Sequence, residues 1–241
     1  MNIIYQDEYF FAIDKPAGFF VHPPEHSAYP TPREKICLHV LQDKLRRPVY
    51  PVHRLDAPTT GLVLFADSLQ ADPKSATRLL SRLFADRNVV KTYHAVARGH
   101  LEDEGTIALP LEIKGFEELN ECETRYKTLA RTELPHAVGK KYLTARYSLV
   151  EVRPVTGRWH QIRRHFDRIA HPLLGDIEHG DSHHNRFFRD HLGIRGLCLR
   201  AKRLEFVHPW TKEPLTIEAP PSETWDEISR LFRHGGEHAL R

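Results

Sequence analysis

Three short stretches hold polar residues whose types and spacing could do chemistry. In the first, His53-Arg54-Leu55-Asp56, one carboxylate stands beside a guanidinium. A tight turn follows, Ala57-Pro58-Thr59-Thr60-Gly61, and then an apolar run. Asp, Pro, Thr and Gly occupy such turns for backbone reasons alone. A carboxylate fixed on a turn can also serve as a nucleophile or a base, and an adjacent guanidinium keeps it ionised. The second stretch, Lys91-Thr92-Tyr93-His94-Ala95, reads as a strand with Lys91, Tyr93 and Ala95 on one face. Tyr93 on that face reads as a core strand aromatic. The third runs from Thr156 to Arg163 into a helix, where Arg163 is either a solvated cation or the partner of a carboxylate. A fourth grouping, His179, His183 and His184 with Asp176 and Asp181, resembles a metal cluster in composition. No second ligand cluster with matching spacing accompanies it, so no metal site is expected.

These residues need a frame. The first twenty or so residues read as two short strands joined by turns, with Asp14-Lys15-Pro16-Ala17-Gly18 marking a sharp change of direction. Thr31-Pro32-Arg33-Glu34 has the form of a helix start, with Thr31 as cap, Ile36, Val40 and Leu41 as the apolar face, and Pro48 as the stop. Leu62 to Ala66 reads as a short buried strand. Asp72-Pro73 opens a second helix, with Ala76, Leu79, Leu80, Leu83 and Phe84 at helical spacing. From Val89 the period changes: Val89–Ala97, Cys122–Ala130 and Tyr142–Pro154 are rich in β-branched and aromatic residues and read as strands. Gly157 introduces a helix with Ile162, Phe166 and Ile169 on one side. The polar tract from Gly180 to Gly196 reads as a long loop. Leu197–His208 and Pro214–Ala219 form a closing hairpin, and Ser222 caps a last helix. Consecutive strands outnumber helices, which favours an α+β fold with a mixed or antiparallel sheet over a doubly wound parallel one.

The 241 residues suffice to bury a core, and 40% hydrophobic with 28% charged residues is ordinary for a soluble globular protein. No apolar run approaches a membrane span and no leader pattern opens the chain, so a cytoplasmic protein without membrane contact is expected. Cys37, Cys122 and Cys198 are far apart and form no CxxC, so they read as small core residues. Net charge is only +3, but Arg158 to Arg203 holds ten Lys/Arg against five Asp/Glu and seven of the 17 histidines. Such a concentration suits a polyanion, although a solvated face would look the same.

Four ordered motifs together resemble those of the RluA-type pseudouridine synthase family: HRLDAPTTGLVLFA, KTYHA, TGRWHQIRRH and HPLLGD. The likeness runs from DKPAG to HPWTKEPL, nearly the whole chain. Within the family, LVEVRPVTGRWHQIRRH and GDIEHGDSHHNRFF are closest to the tRNA pseudouridine synthase C branch, taken to act on the uridine at position 65 of tRNA. The resemblance implies the pseudouridine synthase catalytic fold: a mixed, largely antiparallel sheet flanked by helices, with a central RNA-binding cleft. It implies a single catalytic domain over 1–241 with no separate N-terminal RNA-binding domain. Asp56 corresponds to the essential aspartate, Tyr93 to the tyrosine that stacks on the target base, and Arg163 to the arginine that pairs with the aspartate. Arg54 corresponds to the arginine of the same loop that helps displace or replace the flipped base. Ile162 and Leu199 are core residues that also line the pocket, and Arg164, Arg168 and Arg186 are candidate phosphate contacts. Thr60 stands where relatives often have Ser. Arg200 stands where they often have His, which makes it a spare cation within reach of phosphate rather than essential chemistry.

The chemistry fits these residue types. Turning uridine into pseudouridine breaks the N1-glycosidic bond and joins C5 to the same sugar carbon, so the base must leave its stack. An aromatic face is worth ~1–3 kcal/mol to a stacked base. No redox step, hydrolysis or phosphate transfer occurs, so no cofactor is expected, and the expected partner is RNA, most of all tRNA. Three routes fit the carboxylate: attack at the sugar carbon, addition to the base, or elimination at the sugar. The alternatives are a synthase acting on ribosomal RNA, a non-catalytic RNA-binding or folding factor on the same fold, and, more distantly, a metal-dependent hydrolase.

Overall fold

A computed structural model of the chain describes residues 1–24, 30–67, 73–112, 119–139 and 142–233. Along it run β1 (Asn2–Gln6), β2 (Phe10–Lys15), α1 (Cys37–Leu45), β3 (Val49–Pro51), β4 (Thr60–Asp67), α2 (Pro73–Ala85), β5 (Val90–Arg98) and β6 (Glu104–Ile107). There follow β7 (Leu111–Glu112), β8 (Leu119–Asn120), β9 (Thr124–Leu134), β10 (Ala145–Pro154), α3 (Gln161–Arg168), α4 (Ser182–His191), β11 (Leu199–Val207), β12 (Pro214–Glu218) and α5 (Glu223–Arg233). The elements are those of an α+β fold, with strands mostly antiparallel. The chain divides into two compact units, Met1–Lys91 with Arg200–Pro220, and Thr92–Leu199 with Pro221–Arg241.

In the first unit the strand order is β1-β2-β4-β11, with β12 added to β11 and β3 to β4. Leu62 to Ala66 are fully buried in β4, as the apolar run demands, and pair antiparallel with β2. The one parallel step here sets Thr60 and Gly61 beside Arg200 and Ala201. Gly61 has φ +105° and lies so close to β11 that a Cβ would sit 2.2 Å from the Ala201 carbonyl oxygen. Only glycine fits there. The β11–β12 hairpin forms as the sequence indicates.

The start of α1 departs from its sequence signals. Pro32 to Lys35 make a single 3-10 turn, and Ile36 is extended and buried before α1 begins at Cys37. The reason is pairing. Phe20 N donates to Lys35 O, and Cys37 N donates to Phe20 O. That bridge draws Ile36 out of helical geometry, so Thr31 caps nothing in α1. The helix also stops earlier than Pro48, at Arg46 in the left-handed conformation. α2 forms over the expected span, but the proposed opening residue Asp72 lies outside the described residues.

In the second unit the order is β5-β10-β9-β6. Ala95, Ala97, Val150, Val152, Ile162, Phe166 and Leu199 form one apolar cluster between β5, β10 and α3. A second cluster joins Tyr147, Leu174, Phe187, Phe188, Ile194 and α5 residues Ile228, Leu231 and Phe232. Phe187 and Phe188 belong to α4, so the tract 180–196 is not one long loop. The Asp181 carboxylate accepts from His183 N (2.9 Å) and His184 N (3.3 Å), an N-cap that starts the helix. With only two adjacent apolar residues facing the core, α4 lacks the periodic stripe that announces a helix. The three cysteines are buried. No helix among the described residues is long and apolar enough to cross a membrane.

Candidate active site

Asp56 sits in the first unit, half-buried in the loop between β3 and β4, with exposed Arg54 two residues before it. Backbone bonds set the loop: Thr59 N donates to Asp56 O (3.1 Å) and Gly18 N to Ala57 O (2.8 Å). Beneath it lies Lys15, fully buried at the end of β2. Its ammonium donates to the carbonyls of Ala57 (2.9 Å), Phe19 (2.8 Å) and Pro16 (3.1 Å). Burial pushes Lys15 down to about 8, against the opposing pulls of Cys37 and then the Asp56 carboxylate. One buried cation therefore ties the DKPAG turn to the residue after Asp56. The sequence shows Lys15 only as a charge in a turn. Its burial comes from acceptors up to 42 positions away.

His53 supports the same loop from its other end. Its Nε2 accepts from Leu64 N (3.0 Å) and its ring stacks on Phe84 at 4.3 Å. Burial, with the Lys91 cation second, drives it down to about 3, so it is a neutral acceptor at physiological pH. Arg200 is not the spare surface cation of the sequence reading. It is buried, and NH2 donates to Asp14 Oδ2 (2.9 Å) and to the Pro220 carbonyl (2.9 Å). It braces β11 against β2.

Tyr93 and Arg163 belong to the second unit. Tyr93 lies on β5 opposite Val152 and packs, partly buried, on the cluster that contains Ile162 and Leu199. Tyr93, Ile162 and Leu199 share that apolar cluster. Arg163 is among the most buried side chains, 1% exposed. Its Nε and NH2 donate to Asp176 Oδ2 and Oδ1, both at 2.7 Å, the bidentate geometry that best fixes a guanidinium. NH2 also reaches Glu178 (3.1 Å) and NH1 donates to His160 Nε2 (2.8 Å). Burial alone would raise the Asp176 carboxyl. The Arg163 guanidinium and the N–H groups of His179 and Glu178 instead hold it below the usual carboxylate range. Asp176 enters the sequence reading as a metal candidate and as the last residue of HPLLGD, with no partner assigned. Here it is the partner of Arg163.

The rest of the TGRWHQIRRH motif positions α3. Gln161 Oε1 accepts from Thr156 Oγ1 (2.7 Å) and Arg158 N (3.0 Å), while its Nε2 donates to Glu123 O (2.9 Å) and Thr124 Oγ1 (3.0 Å). His165 bridges Thr124 Oγ1 and Leu109 O, both at 2.9 Å. Arg164 and Arg168 reach the carbonyls of Glu112 and Pro110, and Arg186 is exposed on α4.

The one convergent metal-type grouping among the described residues is His160, Glu178 and His179, with ligand atoms within 4.8 Å of one another. His183 and His184 stand apart on α4, where His184 Nδ1 meets the Tyr147 hydroxyl (2.9 Å). In the triplet, His160 Nε2 already accepts from Arg163, so its proton is on Nδ1, the atom that faces His179 Nε2 at 3.0 Å. A metal at Nδ1 would force that proton onto Nε2, against the Arg163 donor. The grouping works as a hydrogen-bond chain that extends the Arg163 network.

Residues 9–168 match the family model described as RNA pseudouridylate synthase, and the chain belongs to that family of isomerases. Its curated relatives include proteins called tRNA pseudouridine synthase C from Vibrio parahaemolyticus and Pasteurella multocida, each 40% identical. Both alignments cover 96% of this chain, and 95% and 96% of the respective relative. Among solved structures, human RNA pseudouridylate synthase domain containing 4 superposes with a TM-score of 0.69 at 23% identity, over 95% of this chain and 92% of that one. Human RNA pseudouridylate synthase domain containing 1 gives 0.68 at 22% identity, over 97% and 95%. These two likenesses speak for the fold.

Proposed function

We propose that this protein isomerises uridine to pseudouridine in tRNA, at position 65, and that its two units act as one catalytic domain. The observation that carries the reading is the near-complete alignment, at 40% identity, with relatives called tRNA pseudouridine synthase C. In this reading Asp56 is the essential carboxylate, Tyr93 stacks on the extruded base, and Arg163 holds positive charge at the carboxylate. The bond from N1 to the sugar carbon breaks, the bond from C5 to that carbon forms, the C5 proton leaves to solvent and N1 takes up a proton, so the product is an isomer. Arg54 fills the gap left by the flipped base, and Ile162 and Leu199 close the apolar side of the base pocket. Arg164, Arg168 and Arg186 contact phosphate. The reaction requires neither cofactor nor obligate protein partner and takes place in the cytoplasm.

Mapping pseudouridines in total RNA from cells with and without the gene tests this. Loss of a single tRNA site at position 65 is expected. Loss confined to ribosomal RNA would overturn the substrate, and an unchanged map would overturn the activity.

A further inference from the structure

Two apolar side chains reach solvent on the loops next to Arg163, Trp159 and Ile177. Ile177 is 91% exposed, the most exposed large hydrophobic among the described residues. It lies between Asp176 and Glu178, both bonded to Arg163. Its exposure is enforced by a wound loop. Glu178 N and His179 N both donate to Asp176 Oδ1 at 3.0 Å, and Asn185 holds the loop twice, accepting from Gly175 N and donating to Asp176 O, both at 2.7 Å. Gly180 closes it so tightly that a Cβ would lie 2.1 Å from Asp176 O. Trp159 is 39% exposed and stacks on His160, whose Nε2 touches Arg163, with ring centroids 3.8 Å apart. The Arg164 guanidinium lies 5.8 Å from the Trp159 ring centre, and the Trp159 and His179 rings meet edge to face at 6.3 Å.

We infer that Trp159 and Ile177 form a contact surface for the nucleobases that flank the target uridine, and so help to choose the RNA. This rests on the RNA synthase reading above. Extruding one base leaves its neighbours with a stacking face uncovered. A rigid aromatic and an outward aliphatic side chain cover such faces without reading base identity, and exposed Arg158 with Arg164 supplies charge for the connecting phosphates.

The test is equilibrium binding of a uridine-containing RNA stem-loop, compared with the same RNA carrying abasic nucleotides on both sides of the target. Turnover of the intact RNA is scored separately. Trp159→Ala and Ile177→Ser should each weaken binding of the intact RNA by about tenfold to a hundredfold. Neither should matter for the abasic RNA, and Trp159→Phe should restore most of the loss. Val207→Ser, at another exposed apolar position, is the control and should be silent. Equal losses on both RNAs, or no loss on the intact one, overturn the inference. If wild-type protein binds the RNA and turns over no RNA offered, the synthase reading fails by that result alone, and the binding comparison still decides this surface.

Discussion

The two halves of the candidate chemistry are held in place by different means. The Asp56 loop has backbone supports, in the Thr59 and Gly18 amides and the Lys15 ammonium on the Ala57 carbonyl. Arg163 is fixed through its side chain, by a bidentate carboxylate, a second carboxylate and an imidazole. The difference has a physical consequence. A group held by its backbone can lose its charge and keep its place. A buried guanidinium cannot lose its counterion without leaving an uncompensated charge in a poorly solvated site.

The largest effect on folding is therefore expected at Asp176. Asp176→Ala should cost about 3–5 kcal/mol, the range for breaking a buried pair from one side, as measured by urea denaturation. Asp176→Asn keeps the shape, and its intermediate cost would separate lost charge from lost packing. The same pair sets an acid dependence. Asp176 is depressed below its unfolded value, so its contribution is complete above the ordinary carboxylate range and disappears as pH falls through the depressed value. A variant as stable as wild type would put the two halves on the same footing.

Lys15 gives the next effect, with two opposite signs. Its folded value, about 8, lies below the ordinary lysine value, so burial of the ammonium costs stability below pH 8. Stability from this group should rise between about pH 8 and 10.5, while turnover falls as the loop loses one donor and the cation near Asp56. Lys15→Met should remove the alkaline limb of turnover and leave a slower enzyme at every pH. A pH profile unchanged in Lys15→Met would show that the ammonium does not govern the loop.

Arg163→Lys should reduce turnover less completely than loss of the carboxylate at Asp56, because a cation survives while the fork is lost. The smallest effect is expected at the surface. Arg164→Gln with Arg186→Gln should weaken RNA binding and flatten its salt dependence by about one to two phosphate contacts, leaving single-turnover chemistry nearly unchanged. An unchanged salt slope would move the RNA path elsewhere.

How much of this was legible in the sequence follows the same division. β4, the β11–β12 hairpin and α3 announce themselves by apolar runs, turn residues and helical spacing, and they appear where expected. α4 does not, because its start is a side-chain cap at Asp181 and its core face is only Phe187 and Phe188. α1 begins late because Phe20, a residue from a distant loop, pairs across its expected first turn. The family motifs bring Asp56, Tyr93 and Arg163 into view as single residues. Their supports are harder to see. Lys15 acquires its role from carbonyls of two loops, and Asp176 from a guanidinium 13 positions earlier. Such pairings exist only once the chain is folded. Arg200 shows the converse: a cation that looks available in sequence is consumed by Asp14 within the first unit.

The central claim is that Asp56 is the carboxylate the reaction needs, on a loop whose backbone bonds do not involve its charge. Tritium release from C5-labelled tRNA, with chelator present, measures it directly in wild type and Asp56→Asn. The asparagine can serve the same turn, so the variant should fold and bind tRNA like wild type, yet a neutral amide is a poor nucleophile and base, so release should fall to background. Wild-type-like tritium release from folded Asp56→Asn would contradict the account.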